Sequence, residues 1–197
     1  MIKYNRILVS RIFGVLFLAL LVLTGSTHLG ELSGGLLFLL GAVLVGLGAI
    51  GRLWCSLYIN GYKNAAVIDQ GPYSMSRNPL YFFSLLGASG IGFATETWTL
   101  GIVITAGFLL MYPYVIRHEE EFLAASFGEA YRTYCAKTPR FFPDPRLLKE
   151  PESYTVDPKM FRRSIGDALW FIWGLGLLAV IHGLHATGAV RPWLKLP

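Results

Sequence analysis

A chain of 197 residues that is 54% hydrophobic and only 15% charged, with a mean hydropathy of +0.51, is too apolar for a soluble globular protein, which carries about 25% charge. Its net charge of +5 is spread along the sequence rather than gathered into one basic face, which argues against nucleic-acid binding. The length suits a single domain, 1–197, and the composition points to an all-α polytopic membrane protein with about five transmembrane helices.

A bilayer crossing needs about 20 mostly apolar residues. In chain order, 7–24, 35–53, 80–94, 98–116 and 165–186 reach or approach that length. The first follows Lys3, Arg6 and Arg11 and has no small-x-small cleavage site, so it is expected to remain as a span rather than leave as a signal peptide. The second is rich in small residues. Its Ala42 and Gly46 have the spacing that lets helices approach closely. Its Gly46-Leu47-Gly48-Ala49-Ile50-Gly51 matches a dinucleotide fingerprint. That motif needs a preceding strand, and here it lies inside an apolar span. Residues 54–70 are polar and amphipathic, with turns expected at Asn60-Gly61 and Lys63-Asn64. Pro79 suits the first turn of the third span. Residues 117–137 read as a helix leaving the membrane, interrupted by Gly128 and ended by Pro139. Residues 144–163 read as a surface loop, and 164–188 as an additional C-terminal span.

The basic residues give an orientation. Lys3, Arg6, Arg11, Arg52, Lys63, Arg77 and the nine from Arg117 to Arg163 fall on one side, leaving only Arg191 and Lys195 on the other. The positive-inside rule makes the first side cytoplasmic, with the amino terminus. A bacterial-type inner membrane fits this topology. Cys55 and Cys135 then lie at or near the cytoplasmic face, where no disulfide is expected.

Two polar segments interrupt the apolar pattern. One is Gly71-Pro72-Tyr73-Ser74-Met75-Ser76-Arg77-Asn78-Pro79-Leu80-Tyr81. The other opens at Arg117-His118-Glu119-Glu120-Glu121 and runs through Phe127-Gly128, Tyr131 and Tyr134 to Pro139-Arg140-Phe141-Phe142-Pro143. Arg77 alone reads as a membrane anchor, Pro79 as a helix start, and Glu119–Glu121 as a solvated helix face. Together, at the same ends of successive spans, they read as one polar site at a membrane surface. His118-Glu119 lacks the second histidine of a zinc-protease helix, since Phe122 stands there. His182 and His185 share a face of the last span without a third ligand nearby, so no metal is expected.

Residues 52–143 resemble the integral-membrane methyltransferases that include isoprenylcysteine carboxyl methyltransferases and phospholipid N-methyltransferases. The resemblance rests on Gly71-Pro72-Tyr73, Arg77-Asn78-Pro79-Leu80-Tyr81, Glu119-Glu120-Glu121, Phe127-Gly128, Tyr131, Tyr134 and Pro143. The carboxyl methyltransferases carry His where this chain has Asn78, which resembles the bacterial and phospholipid-type members. The resemblance implies S-adenosyl-L-methionine as donor, bound at the cytoplasmic face between the two motifs. It implies donor contacts from Tyr73, Arg77, Asn78, Pro79, Tyr81, Glu119, Glu120, Glu121 and Tyr131. Among these Glu120 would take the donor ammonium, Arg77 its carboxylate, and Tyr81 would complete the catalytic set.

It also implies a lipid-like or apolar acceptor arriving from the bilayer: the carboxylate of a prenylcysteine-like compound, or the amine of a phospholipid head group. A carboxylate attacks unaided. A protonated amine needs a base, for which Glu119, Glu121 and His118 are the nearby groups. A membrane NADPH-dependent reductase related to sterol reductases, and a non-catalytic membrane binding protein, remain open as alternatives. The sequence does not specify an oligomeric state.

Overall fold

The computed structural model describes residues 18–62 and 65–197. Most of the expected first span, with Lys3, Arg6 and Arg11, lies outside the described residues, as do Lys63 and Asn64. Residues 18–23 are helical and lead into a short strand β1, Thr24–Ser26. Five helices follow: α1 (Leu32–Ile59), α2 (Pro72–Met75), α3 (Pro79–Phe93), α4 (Trp98–Phe127) and α5 (Glu129–Lys137). A single 3-10 turn at Pro145–Leu147, helix α6 (Pro158–Ala186) and a closing strand β2 (Leu194–Leu196) complete the chain. The described residues are all-α apart from β1 and β2, which pair in parallel with Thr24 opposite Leu194.

Among the described residues three helices, α1, α4 and α6, are long and apolar enough to cross a membrane. Their exposed faces carry Leu36, Leu47, Leu110, Met111, Trp170 and Trp173, a belt suited to acyl chains rather than water. The expected third span is shorter than its neighbours. α3 has 15 residues, about 22 Å at the helical rise, against about 30 Å of hydrocarbon. It packs between α1 and α4, so lipid does not set its length.

Glycines set the distance between α1 and α3, and they are not the pair expected from spacing. A Cβ added at Gly46 would meet nothing within 4 Å among the described residues. At Gly48 it would lie 2.6 Å from the Gly87 backbone nitrogen, and at Gly41 2.4 Å from that of Ala94. The seven-residue repeat Gly41–Gly48, extended to Gly51, faces α3 because it keeps one side of the helix, whereas Gly46 points about 200° away from Gly48. The fingerprint-like glycines therefore belong to a helix crossing.

α4 runs on for 30 residues, about 45 Å, well beyond a bilayer's hydrocarbon. Pro113 lies inside it, tolerated as prolines are in membrane helices. Its last turns carry Glu119, Glu120 and Glu121 out to the membrane surface. α6 starts seven residues before the expected fifth span: Asp157 caps it by accepting from the Lys159 and Met160 amides, with Pro158 at its first position. At the opposite end of the bundle β2 ties the C-terminal tail to β1, and Ser26 Oγ donates to the Glu96 carbonyl at 2.7 Å. Glu96 and His182 pair there at 3.3 Å, and His185 Nε2 lies 3.0 Å from the Val22 carbonyl.

Candidate functional site

The first polar segment turns sharply at Gly71. Its φ of +56° favours glycine, and a Cβ there would strike the Tyr58 ring at 2.4 Å. Pro72 then opens α2, and Pro79 opens α3 two residues after Arg77. Both prolines are fully buried, so the segment is held rather than looped out.

The second segment is hydrogen-bonded along the first. The Arg77 amide donates to the Pro139 carbonyl at 2.8 Å, Ser76 Oγ to Phe141 O at 2.9 Å, and the Asp144 amide to Met75 O at 3.0 Å. Farther on, the Gly71 amide donates to Lys149 O at 2.7 Å and the Lys149 amide to Ser74 Oγ at 2.9 Å. Residues 139–149 are thus a strap across the turn, where a surface loop was expected. Gly128, at φ +53°, breaks α4 from α5 so that α5 folds back under the turn. There Tyr134 Oη donates to the Tyr73 carbonyl at 2.8 Å.

These elements form an open cleft with about 110 Å³ of internal volume. Tyr73, Arg77, Asn78, Pro79, Tyr81, Glu119, Tyr131 and Tyr134 line it, with Ile59, Val67, Ile68, Leu80 and Leu123 as apolar walls. Seven of the nine residues expected to contact a donor therefore meet on one cleft. Both segments reach it from the same end of the helices.

The three consecutive glutamates separate. Glu119 lines the cleft and accepts from Tyr81 Oη at 2.6 Å. Glu120 stands behind it: Arg77 Nη1 lies 3.2 Å from Oε1, Arg140 Nη2 2.9 Å from Oε2, and Asn78 Nδ2 3.4 Å from Oε1. Asn78 Nδ2 also donates to the Arg140 carbonyl at 2.9 Å, so this side chain links both segments. Glu121 is exposed and pairs with Arg117 at 3.0 Å, outside the cleft. His118 is exposed too, with Nδ1 3.0 Å from the Tyr114 carbonyl of its own helix.

Two buried donors in the cleft wall lack acceptors among the described residues, Tyr73 Oη and Arg77 Nε. Buried polar groups are rarely left so, because desolvation costs about 1–3 kcal/mol. Burial pushes the Tyr73 phenol well above the ordinary tyrosine range, keeping it a neutral O–H donor. Burial pushes the Tyr131 and Tyr134 phenols up as well. The cleft thus offers a carboxylate, a guanidinium and two unused N–H and O–H donors, a set suited to a zwitterion.

The phospholipid methyltransferase family pattern matches residues 31–130. The chain belongs to that family. Its matched stretch runs from the start of α1 into α5 and contains the whole first segment and all three glutamates. The chain is 41% identical over 195 residues to a cobalt-zinc-cadmium resistance protein of Cupriavidus metallidurans, covering 98% of this chain and 88% of that one. It is 38% identical over 158 residues to a nickel-cobalt-cadmium resistance protein of Alcaligenes xylosoxydans xylosoxydans, covering 80% of this chain and 72% of that one. No solved structure matches the chain.

Within this family site, sequence reasoning missed the strap. Arg140 stood in a quoted motif without a role, yet it holds Glu120, and Ser74 and Ser76 anchor backbone 65–75 residues away. A serine in a turn has too many local uses for its distant partner to show. Tyr134 was a motif residue without an assigned contact, and it lines the cleft.

Proposed function

We propose that this membrane protein is an S-adenosylmethionine-dependent methyltransferase acting on a lipid-like, membrane-borne acceptor. The observation that carries it is the convergence of Glu119, Arg77 and the unpartnered Tyr73 Oη on one cleft at the end of membrane helices. Glu119 would hold the donor's ammonium. Arg77 would hold its carboxylate, with Nε and Tyr73 Oη gaining acceptors they otherwise lack. Bound there, the donor supplies an electrophilic methyl carbon on a sulfonium. Glu120 positions Arg77 and Asn78 from behind, Tyr81 orients Glu119 by its hydrogen bond, and the strap and apolar walls exclude water.

Both acceptor classes, a prenylcysteine-like carboxylate and a phospholipid amine, fit a cleft opening at the membrane surface. With an amine acceptor, the Glu119–Tyr81 pair is the nearest proton relay, because Glu121 and His118 lie outside the cleft. Methylation removes metal-binding capacity from either acceptor: a methyl ester has lost the carboxylate charge, and a primary amine carried through three successive transfers becomes a quaternary nitrogen without a lone pair. That chemistry connects a lipid methyltransferase to the metal resistance for which the relatives are named.

The test is incubation of the purified protein with methyl-labelled S-adenosylmethionine and a bacterial lipid extract. Label should enter the organic phase; mild base should release it as volatile methanol from a methyl ester and leave it non-volatile in an N-methyl product. Label confined to the aqueous phase, with donor bound, would leave a binding protein rather than an enzyme.

The amino terminus and the cleft are both assigned to the cytoplasmic side. Single cysteines introduced at Thr27 and Lys149, in a Cys55→Ser, Cys135→Ser background, should label differently in intact cells. Thr27 should react with an impermeant maleimide directly and Lys149 only after permeabilisation. The reverse pattern would place the cleft outside and deny it cytosolic donor.

A further inference from the structure

A second cleft lies beside the first, on the lipid side of the bundle. It is a shallow, wide-open cleft of about 400 Å³ between α1, α3, α4 and α6. Arg52, Ser84, Phe108, Tyr112, Asp167 and Trp170 line it. A basic residue inside a membrane helix is costly and usually has a functional partner. Arg52 is 20 residues from the start of α1, about 30 Å along its axis, a full hydrocarbon thickness. This depth is that of lipid head groups, at the same end of the bundle as Glu119.

The contacts of Arg52 are incomplete. Its Nη1 donates to Ser84 Oγ, which in turn donates to the Leu80 carbonyl at 2.7 Å. Its guanidinium carbon lies 5.8 Å from the Phe171 ring centroid. Its Nε is buried without a partner, and no ion pair forms with Asp167 or any other carboxylate among the described residues. Asp167 is exposed, and Trp170 is 74% exposed on the same wall.

The two clefts share a wall. Phe108 stacks on Tyr112 at 3.5 Å, Tyr112 packs edge-on against Tyr81 at 5.0 Å, and Tyr81 is the residue bonded to Glu119.

We propose that this second cleft is the port at which the methyl acceptor docks from the bilayer, with Arg52 holding an anionic group of that amphiphile, a phosphate or a carboxylate. The guanidinium fork matches both groups, and an oxyanion is the partner Nε lacks. The aromatic wall of Trp170, Phe108 and Tyr112 suits the adjoining acyl or prenyl chain. This inference rests on the methyltransferase reading, because it makes the lateral cleft the acceptor's approach to Tyr81 and Glu119.

Trp170 is a built-in reporter. The purified protein in nanodiscs, without methyl donor, would be titrated with brominated phosphatidylglycerol, brominated fatty acid or brominated diacylglycerol. The fluorescence component lost in Trp170→Phe should be quenched by the two anionic lipids at about a tenth of the mole fraction that diacylglycerol needs, the size of one charge-assisted bond. A stronger effect of phosphatidylglycerol or of fatty acid would say whether phosphate or carboxylate is the better fit. The preference should persist in Arg52→Lys and Ser84→Ala and vanish in Arg52→Gln.

Equal quenching of that component by all three lipids in the wild-type protein would overturn the proposal, and defining it needs only Trp170→Phe, a substitution at an exposed position. A preference surviving in Arg52→Gln would overturn it too, leaving Arg52 as a helix tie to Ser84. Donor binding, measured separately on the same samples, distinguishes these failures from failure of the methyltransferase reading.

Discussion

Gly48→Leu will not give a stable folded protein, whereas Gly46→Leu, two residues earlier on the same helix, will. The added side chain at Gly48 begins with a Cβ 2.6–2.8 Å from the backbone of Gly87 and Phe83, atoms that cannot rotate away. α3 would have to move outward along its most extensive interface, and α3 carries Pro79 and Tyr81 into the cleft. Overpacking costs about 1–3 kcal/mol even where flexible side chains can yield, so a clash against backbone falls at or above the upper end. Gly46 has open space among the described residues, so its added side chain would strike none of them. The check is the monodisperse fraction and melting temperature in detergent. Equal behaviour of the two variants would show that α1 and α3 do not cross as described.

Glu119→Gln should weaken S-adenosylmethionine binding about ten- to a hundredfold, or roughly 1.5–3 kcal/mol, while leaving the fold intact. The substitution keeps the shape and the hydrogen bond from Tyr81 but removes the charge that would face the donor's ammonium. Glu120→Gln should act differently. It leaves Arg77 and Arg140 beside a neutral group, so melting temperature and donor affinity should fall together. Arg77→Ala removes the proposed partner of the donor carboxylate and should also weaken binding. Glu121→Gln and Glu129→Gln, exposed and paired only with arginines on their own helices, should change little. A calorimetric titration of each variant reads all of these. Wild-type affinity in both Glu119→Gln and Arg77→Ala would mean the donor binds elsewhere.

The contrast between Glu119 and Glu120 marks where the sequence stops being informative. Three adjacent glutamates after a span announce a polar helix end. Successive residues point about 100° apart, so only the packing of α4 against α3 selects which carboxylate meets the cleft. The meeting of the two segments was legible because both carry turn-forming and ionisable residues at the same ends of apolar helices. Their zipped backbone was not, since the bonds from Arg77 to Pro139 and from Gly71 to Lys149 are main-chain contacts that any residue can make. The same holds for the β1–β2 pairing, three residues on each side with no alternating pattern. In α1 the glycine count announced close packing, but the spacing of Ala42 and Gly46 pointed to the wrong face. The phase of Gly41, Gly48 and Gly51 was set by Gly90, Gly87 and Phe83 on a helix some 40 residues away.

The most direct measurement is isothermal titration of the purified protein with S-adenosylmethionine, S-adenosylhomocysteine and NADPH, with Glu119→Gln as the paired control. Both sulfur ligands should bind at one site per chain, should raise the melting temperature by mass action, and should lose affinity together in the variant. NADPH should give no heat. Binding of NADPH with silence from both sulfur ligands would contradict the methyltransferase reading and return the cleft to a reductase.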